Sequence, residues 1–165
     1  MVTDTTSNIF ATRSGLGRLA LWVALCLGGG IAIGLFFQPD PWFNALERPT
    51  FAPPDWVFAP VWSTLYVLMA IAMWRVERHR DGESVDIARK AFLGQLAVNF
   101  LWTPVFFEMH AIPVALGIIV ALWFGIGATI LFFVRVDRLA AFLLMPYWAW
   151  VTFATALNAV YFYLN

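Results

Sequence analysis

Five long apolar runs limit what this chain can become. They cover approximately Leu16–Phe37, Trp56–Val76, Ile87–Phe107, Pro113–Val134 and Leu139–Leu164. Each matches the roughly 20 residues that a helix needs to cross the hydrocarbon core of a bilayer. There every backbone N–H and C=O must be paired within the protein, which leaves helices or a closed barrel. A barrel strand alternates apolar and polar residues, whereas these runs are apolar throughout. Charged residues are 12% of the chain, about half the share of a soluble domain. The expectation is an all-α integral membrane protein: a single five-helix transmembrane bundle over residues 16–164. A disordered Thr- and Ser-rich tail is expected over residues 1–15.

The basic residues orient the bundle. Arg13 and Arg18 precede the first run, Arg75, Arg78, Arg80, Arg89 and Lys90 flank the second connection, and Arg135 and Arg138 flank the fourth. Only Arg48 falls on the opposite side. The positive-inside rule then expects a cytoplasmic N-terminus and a non-cytoplasmic C-terminus, most simply in a bacterial cell membrane. The first run is long and no clear small-x-small site follows it, so it is expected to stay as a helix rather than be cleaved. Cys26 is the only cysteine, which excludes an internal disulfide and an all-cysteine metal site. A net charge of zero without a long basic run argues against nucleic-acid binding.

One connection is unusual. Residues 38–62 hold Pro39, Pro41, Pro49, Pro53, Pro54 and Pro60, together with Trp42, Trp56 and Trp62 and three phenylalanines. Proline stiffens the backbone and removes a donor, while dense aromatics need burial or a ligand. Such a segment reads as a stiff lid over a pocket.

Within the runs there is almost no titratable chemistry. All ten acidic residues lie in the tail, in connections or at helix ends, and His79 and His110 are in connections. No paired carboxylates, Ser/His/Asp set, metal-ligand spacing or phosphate-cradling glycine loop falls inside a span. No catalytic residue and no metal ligand are therefore assigned, and an ion pump lacks its intramembrane ionisable group. The spans carry tryptophan and amide instead. Trp62 and Tyr66 lie one turn apart. Gln95, Asn99, Trp102 and Phe106 follow one face, and Trp150, Ala154 and Asn158 form a stripe on the last run. Amides at membrane depth must face protein, water or ligand. For Gln95 and Asn158, interhelical hydrogen bonding is as good a reading as a pocket. Asn99 beside Trp102 favours the pocket, and small Ala154 leaves room for a flat ligand. Gly30-x-x-x-Gly34 and the ladder Ala20, Ala24, Gly28 serve either packing inside the bundle or a homodimer face. Gly28-Gly29-Gly30 is a place for the first helix to deform.

These residues resemble the tryptophan-rich sensory protein and translocator protein family, the peripheral-type benzodiazepine receptor family. The likeness rests on Trp42-Phe43-x-x-Leu46-x-Arg48-Pro49 and Pro53-Pro54-x-Trp56-Val57-Phe58-x-Pro60-x-Trp62-x-x-Leu65-Tyr66. It continues in Gln95-Leu96-x-x-Asn99-x-x-Trp102-x-x-x-Phe106-Phe107 and Pro146-Tyr147-x-x-Trp150-x-x-Phe153-Ala154-x-x-Leu157-Asn158. It covers about residues 17–163. The resemblance implies a homodimeric five-helix bundle that binds protoporphyrin IX and related tetrapyrroles without a resident cofactor. It places Trp62, Asn99, Trp102, Trp150 and Ala154 in the ligand wall and Phe43, Pro53 and Pro54 in the lid. Arg48, the lid's one basic residue, is a candidate partner for a porphyrin propionate. Phe43 stands where the family often has tyrosine, and Thr50 and Phe51 stand where bacterial relatives often have tryptophan. The C-terminal Tyr161-Phe162-Tyr163-Leu164-Asn165 lacks the basic residue of the family's cholesterol pattern, so cholesterol is not an expected ligand. The leading expectation is a porphyrin-binding receptor or sensor that also serves transport. The alternatives are a light- and oxygen-dependent porphyrin-degrading enzyme and a non-catalytic membrane scaffold.

Overall fold

The computed structural model describes residues 15–79 and 82–165. Nearly all of the expected tail, together with Arg13 and Arg80, lies outside the described residues. The regular elements among those described are helical. Helix α1 spans Gly15–Phe36 and contains a π-helical turn at Ala24–Gly28. The short α2 is Pro41–Ala45, and a 3₁₀ turn at Asp55–Val57 leads into α3, Phe58–Glu77. Then come α4, Glu83–Phe107, and α5, Ile112–Val134. The last apolar run breaks at Leu144 into α6, Arg138–Leu143, and α7, Met145–Leu164.

The start signals are local. Asp40 accepts the Phe43 N–H and caps α2, and Asp137 accepts the N–H groups of Leu139 and Ala140 and caps α6. Such a cap is worth about 1 kcal/mol. Pro41, Pro113 and Pro146 occupy the first turns of α2, α5 and α7, where the missing donor breaks no helical bond. The lid is thus less irregular than its proline content suggests, because two of its prolines frame short helical turns.

Among the described residues, four stretches are long and apolar enough to cross a membrane: Gly15–Phe36, Asp55–Glu77, Ile112–Val134 and Arg138–Leu164. The fifth expected span, Ile87–Phe107, is helical but does not stand among them. Helix α4 opens with Glu83 and Asp86, continues through Arg89 and Lys90, and holds Gln95 and Asn99 farther along. Its hydropathy is lowered by the residues that face the interior and the basic end.

Helix α4 packs along α5, and α5 packs along α7, while α1 closes against α3 and α4. Helix α6 sits on α3 and α5. Helices α4 and α7 meet mainly through long side chains rather than by close backbone approach. The main core gathers Met69, Met73, Phe92, Ile126, Phe133 and Tyr147, and a smaller core of Val105, Phe106, Ile112, Leu157 and Tyr161 lies under the lid. Two glycines of α1 are needed for close approach. A Cβ on Gly30 would overlap the Tyr66 ring, and one on Gly29 would come within 2.8 Å of Phe100. Gly28 and Gly34 meet nothing. The expected Gly30/Gly34 pair therefore divides: one glycine receives an aromatic ring inside the bundle, and the other faces outward. The deformation expected at Gly28–Gly30 occurs as the π-turn just before it.

Candidate ligand-binding site

The lid is fastened at several points. Trp42 stacks on His110 with ring centroids 4.1 Å apart, and His110 pairs with Asp40 at 3.0 Å. Both contacts hold His110 in the α4–α5 connection, where its φ of 52° is left-handed. Histidine tolerates that region better than most residues, but it still stores local strain. The Phe43 N–H first, and then His110, hold the Asp40 carboxyl below its usual range. Phe43 inserts its ring among Phe106, Phe107 and Tyr161. The Glu47 N–H donates to Asn165 Oδ1 at 2.9 Å, which ties the lid to the C-terminal residue.

Beneath the lid a directional chain of hydrogen bonds crosses from α3 to α4 and α7. The Tyr66 hydroxyl donates to Asn99 Oδ1 at 2.8 Å, and Asn99 Nδ2 donates to the Tyr147 hydroxyl at 3.0 Å. Tyr147 in turn donates to Gln95 Oε1 at 2.9 Å. Nearer the lid, Trp102 Nε1 donates to Asn158 Oδ1 at 3.1 Å. Gln95, Asn99 and Asn158 are all buried, at 4%, 5% and 2% exposure, so their amides cannot turn to water. Three donors in this interior are nonetheless left without a partner: Gln95 Nε2, Trp150 Nε1 and Asn158 Nδ2. A buried donor without an acceptor costs about 1–3 kcal/mol, and an unpaired group in a native interior calls for an explanation.

The sequence-derived residues fall into two groups. Trp62 leans on Tyr66 and meets Tyr147 edge-on, while Trp102 stacks on Phe106 at 4.9 Å. Trp150 lies against Phe58 and Phe153, and Ala154 is partly buried at the margin of the main core. With Asn99 these form the inner wall, and Phe43 reaches the same aromatic cluster from above. Pro53 is half-buried and Pro54 exposed in the turn before α3, where Pro54 O accepts the Val57 N–H. Arg48 does not face the interior unpaired. It binds Asp55 within the lid at 2.6 Å, with 44% of its side chain exposed. Tyr147 was missing from the sequence-derived set although its hydroxyl joins Asn99 to Gln95. Its place one turn before Trp150 on the Trp150–Ala154–Asn158 stripe was the available signal.

Grooves of about 360 and 240 Å³ open on the bundle among the described residues, and the inner-wall residues line neither of them. The aromatic rings of this interior pack on one another.

Comparison with known proteins matches residues 22–164 to the TspO/MBR family. The chain belongs to that family. It is 39% identical over 151 residues to Protein CrtK of Rhodobacter capsulatus, covering 91% of this chain and 94% of that one. It is 39% identical to the tryptophan-rich sensory protein of Cereibacter sphaeroides, covering 83% and 84% of the two chains. The human translocator protein is 37% identical over 119 residues, covering 71% of this chain and 70% of its own. Membership makes this an all-helical membrane protein of the sensor and translocator type. The matched span begins at Trp22, so it includes the lid and every inner-wall residue of this TspO/MBR chain.

Proposed function

We propose that the chain is a membrane receptor for porphyrins, protoporphyrin IX or a related tetrapyrrole, and that it takes part in moving them. The observation that carries this reading is the pair of buried donors without acceptors, Trp150 Nε1 and Asn158 Nδ2, on an aromatic interior beneath a fastened lid. Aromatic faces suit a flat ring, and a few donors suit its acceptor groups. Binding requires Trp62, Trp102 and Trp150 to rotate and the lid to lift. Arg48 would serve a propionate only after leaving Asp55, so its part is secondary.

The same proposal takes α4 as a fifth span, its interior polar residues shielded from lipid by α3 and α7. It takes the basic end as cytoplasmic, with the bundle a homodimer in a bacterial cell membrane. Titration with protoporphyrin IX, read by tryptophan fluorescence, tests the reading. Saturable quenching at micromolar ligand is expected, weakened about tenfold by Asn158→Leu, the loss of one buried hydrogen bond. Absence of quenching overturns it.

A further inference from the structure

A second site stands at the opposite end of the bundle, independent of the porphyrin reading. The groove of about 240 Å³ between α1 and α3 is lined by Arg18, Leu21, Trp22, Leu25 and Glu77. Its floor is apolar and runs down the exposed face of α1, where Leu21 is 71% and Leu25 42% exposed. Helix α1 is the least covered of the membrane-length stretches, with 6% of its window buried against 28% for each of the others. Most of its apolar surface is therefore left uncovered by the rest of the described chain.

The rim of the groove is cationic. Glu77, its one acid, is already engaged: Arg89 Nε donates to Oε1 at 2.9 Å and Trp22 Nε1 to Oε2 at 2.8 Å. Arg89 is shared with Asp86 at 2.9 Å, and Arg18 pairs with no acid among the described residues. A second guanidinium stands at the same end of the α1–α3 pair. Trp74 Nε1 donates to Gly15 O at 2.7 Å, one turn before Arg18, and Arg78 lies 4.8 Å over the Trp74 ring. Arg78 likewise has no acidic partner among the described residues.

We infer that this groove holds an anionic phospholipid, its phosphate between Arg18 and Arg78 and one acyl chain on Leu21 and Leu25. Basic pockets between transmembrane helices are suited to such headgroups, and each arginine at an anionic surface contributes about a fivefold preference. The indole of Trp22, fixed by Glu77, forms the wall between headgroup and chain.

The test uses the full chain in mixed detergent–lipid micelles. Native mass spectrometry compares retention of phosphatidylglycerol with phosphatidylcholine of the same acyl chains. The wild type should prefer phosphatidylglycerol, Arg18→Gln should lower that preference about fivefold, and Arg18→Gln with Arg78→Gln should abolish it. Both arginines are exposed, so the fold should survive. Arg48→Gln, at the lid end, should leave the ratio unchanged, and Leu25→Trp, which fills the groove, should lower retention of both lipids. No preference in the wild type, a preference that survives the double substitution, retention unmoved by Leu25→Trp, or displacement by free glycerol 3-phosphate would each overturn the proposal.

Discussion

The two ends of the bundle are held by different chemistry. At the basic end, Asp137 joins two elements: it caps α6 and pairs with Arg75 at 2.8 Å and His79 at 3.2 Å, both from the α3 end. Its side chain is only 8% exposed. Glu77 similarly gathers Trp22 and Arg89 from α1 and α4. The lid end has exposed pairs, Arg48–Asp55 and Asp40–His110, over a pile of aromatic rings. Shielded charge networks hold one arrangement, whereas rings in contact can slide and exposed pairs contribute little. The basic end is built as an anchor, and the lid end is held more weakly.

The largest expected effect comes from breaking the anchor. Asp137→Ala removes a helix cap and leaves Arg75 without its carboxylate, so stability should fall by about 2–3 kcal/mol. Unfolding in mild detergent, followed by circular dichroism, would measure it. A loss below that of Arg48→Gln would reverse the contrast.

Acid should find the same weak point. Burial opposes ionisation of Asp137, but the Ala140 N–H, His79 and Arg75 outweigh it and hold its carboxyl down at about 2. A carboxyl lowered on folding contributes stability that is complete above its unfolded value near 4. That contribution is lost as pH falls from there through about 2, and amounts to ~2 kcal/mol. Stability of the wild type should drop across that window, and Asp137→Asn should flatten the drop. Parallel curves for the two proteins would place the acid sensitivity elsewhere.

A further substitution sharpens the comparison from inside. Gly30→Ala sets a methyl group against the Tyr66 ring, which must shift and disturb its bond to Asn99. Overpacking of this kind costs about 1–2 kcal/mol. Gly34→Ala meets nothing and should be neutral in the same assay. Equal effects at the two glycines would mean that α1 does not position Tyr66. The smallest change is expected at the lid, where Arg48→Gln breaks an exposed pair and should cost less than about 1 kcal/mol. Porphyrin affinity should also move less than with Asn158→Leu, and a larger loss with Arg48→Gln would return the propionate to the lid.

Much of this is legible in residue order. Apolar runs of membrane length, the lack of acidic groups and histidines deep within them and the amide and indole stripes follow from residue order alone, because bilayer thickness and helical period are general constants. Those stripes named Asn99 and Trp102, whose side chains hydrogen-bond to neighbouring helices, and Trp62, which meets Tyr147. Residue order could not say that Arg48 is taken by Asp55, or that Tyr147 joins two amides, since both depend on which elements meet. It also could not distinguish Gly30 from Gly34, identical in type and both within α1. The sequence by itself determined a helical membrane protein with aromatic and amide stripes on its spans and a Pro- and Trp-rich connection. Only the tertiary structure decided which donors find partners, leaving Gln95, Trp150 and Asn158 each with a free N–H, because hydrogen-bond satisfaction depends on the few ångströms between side chains on different helices.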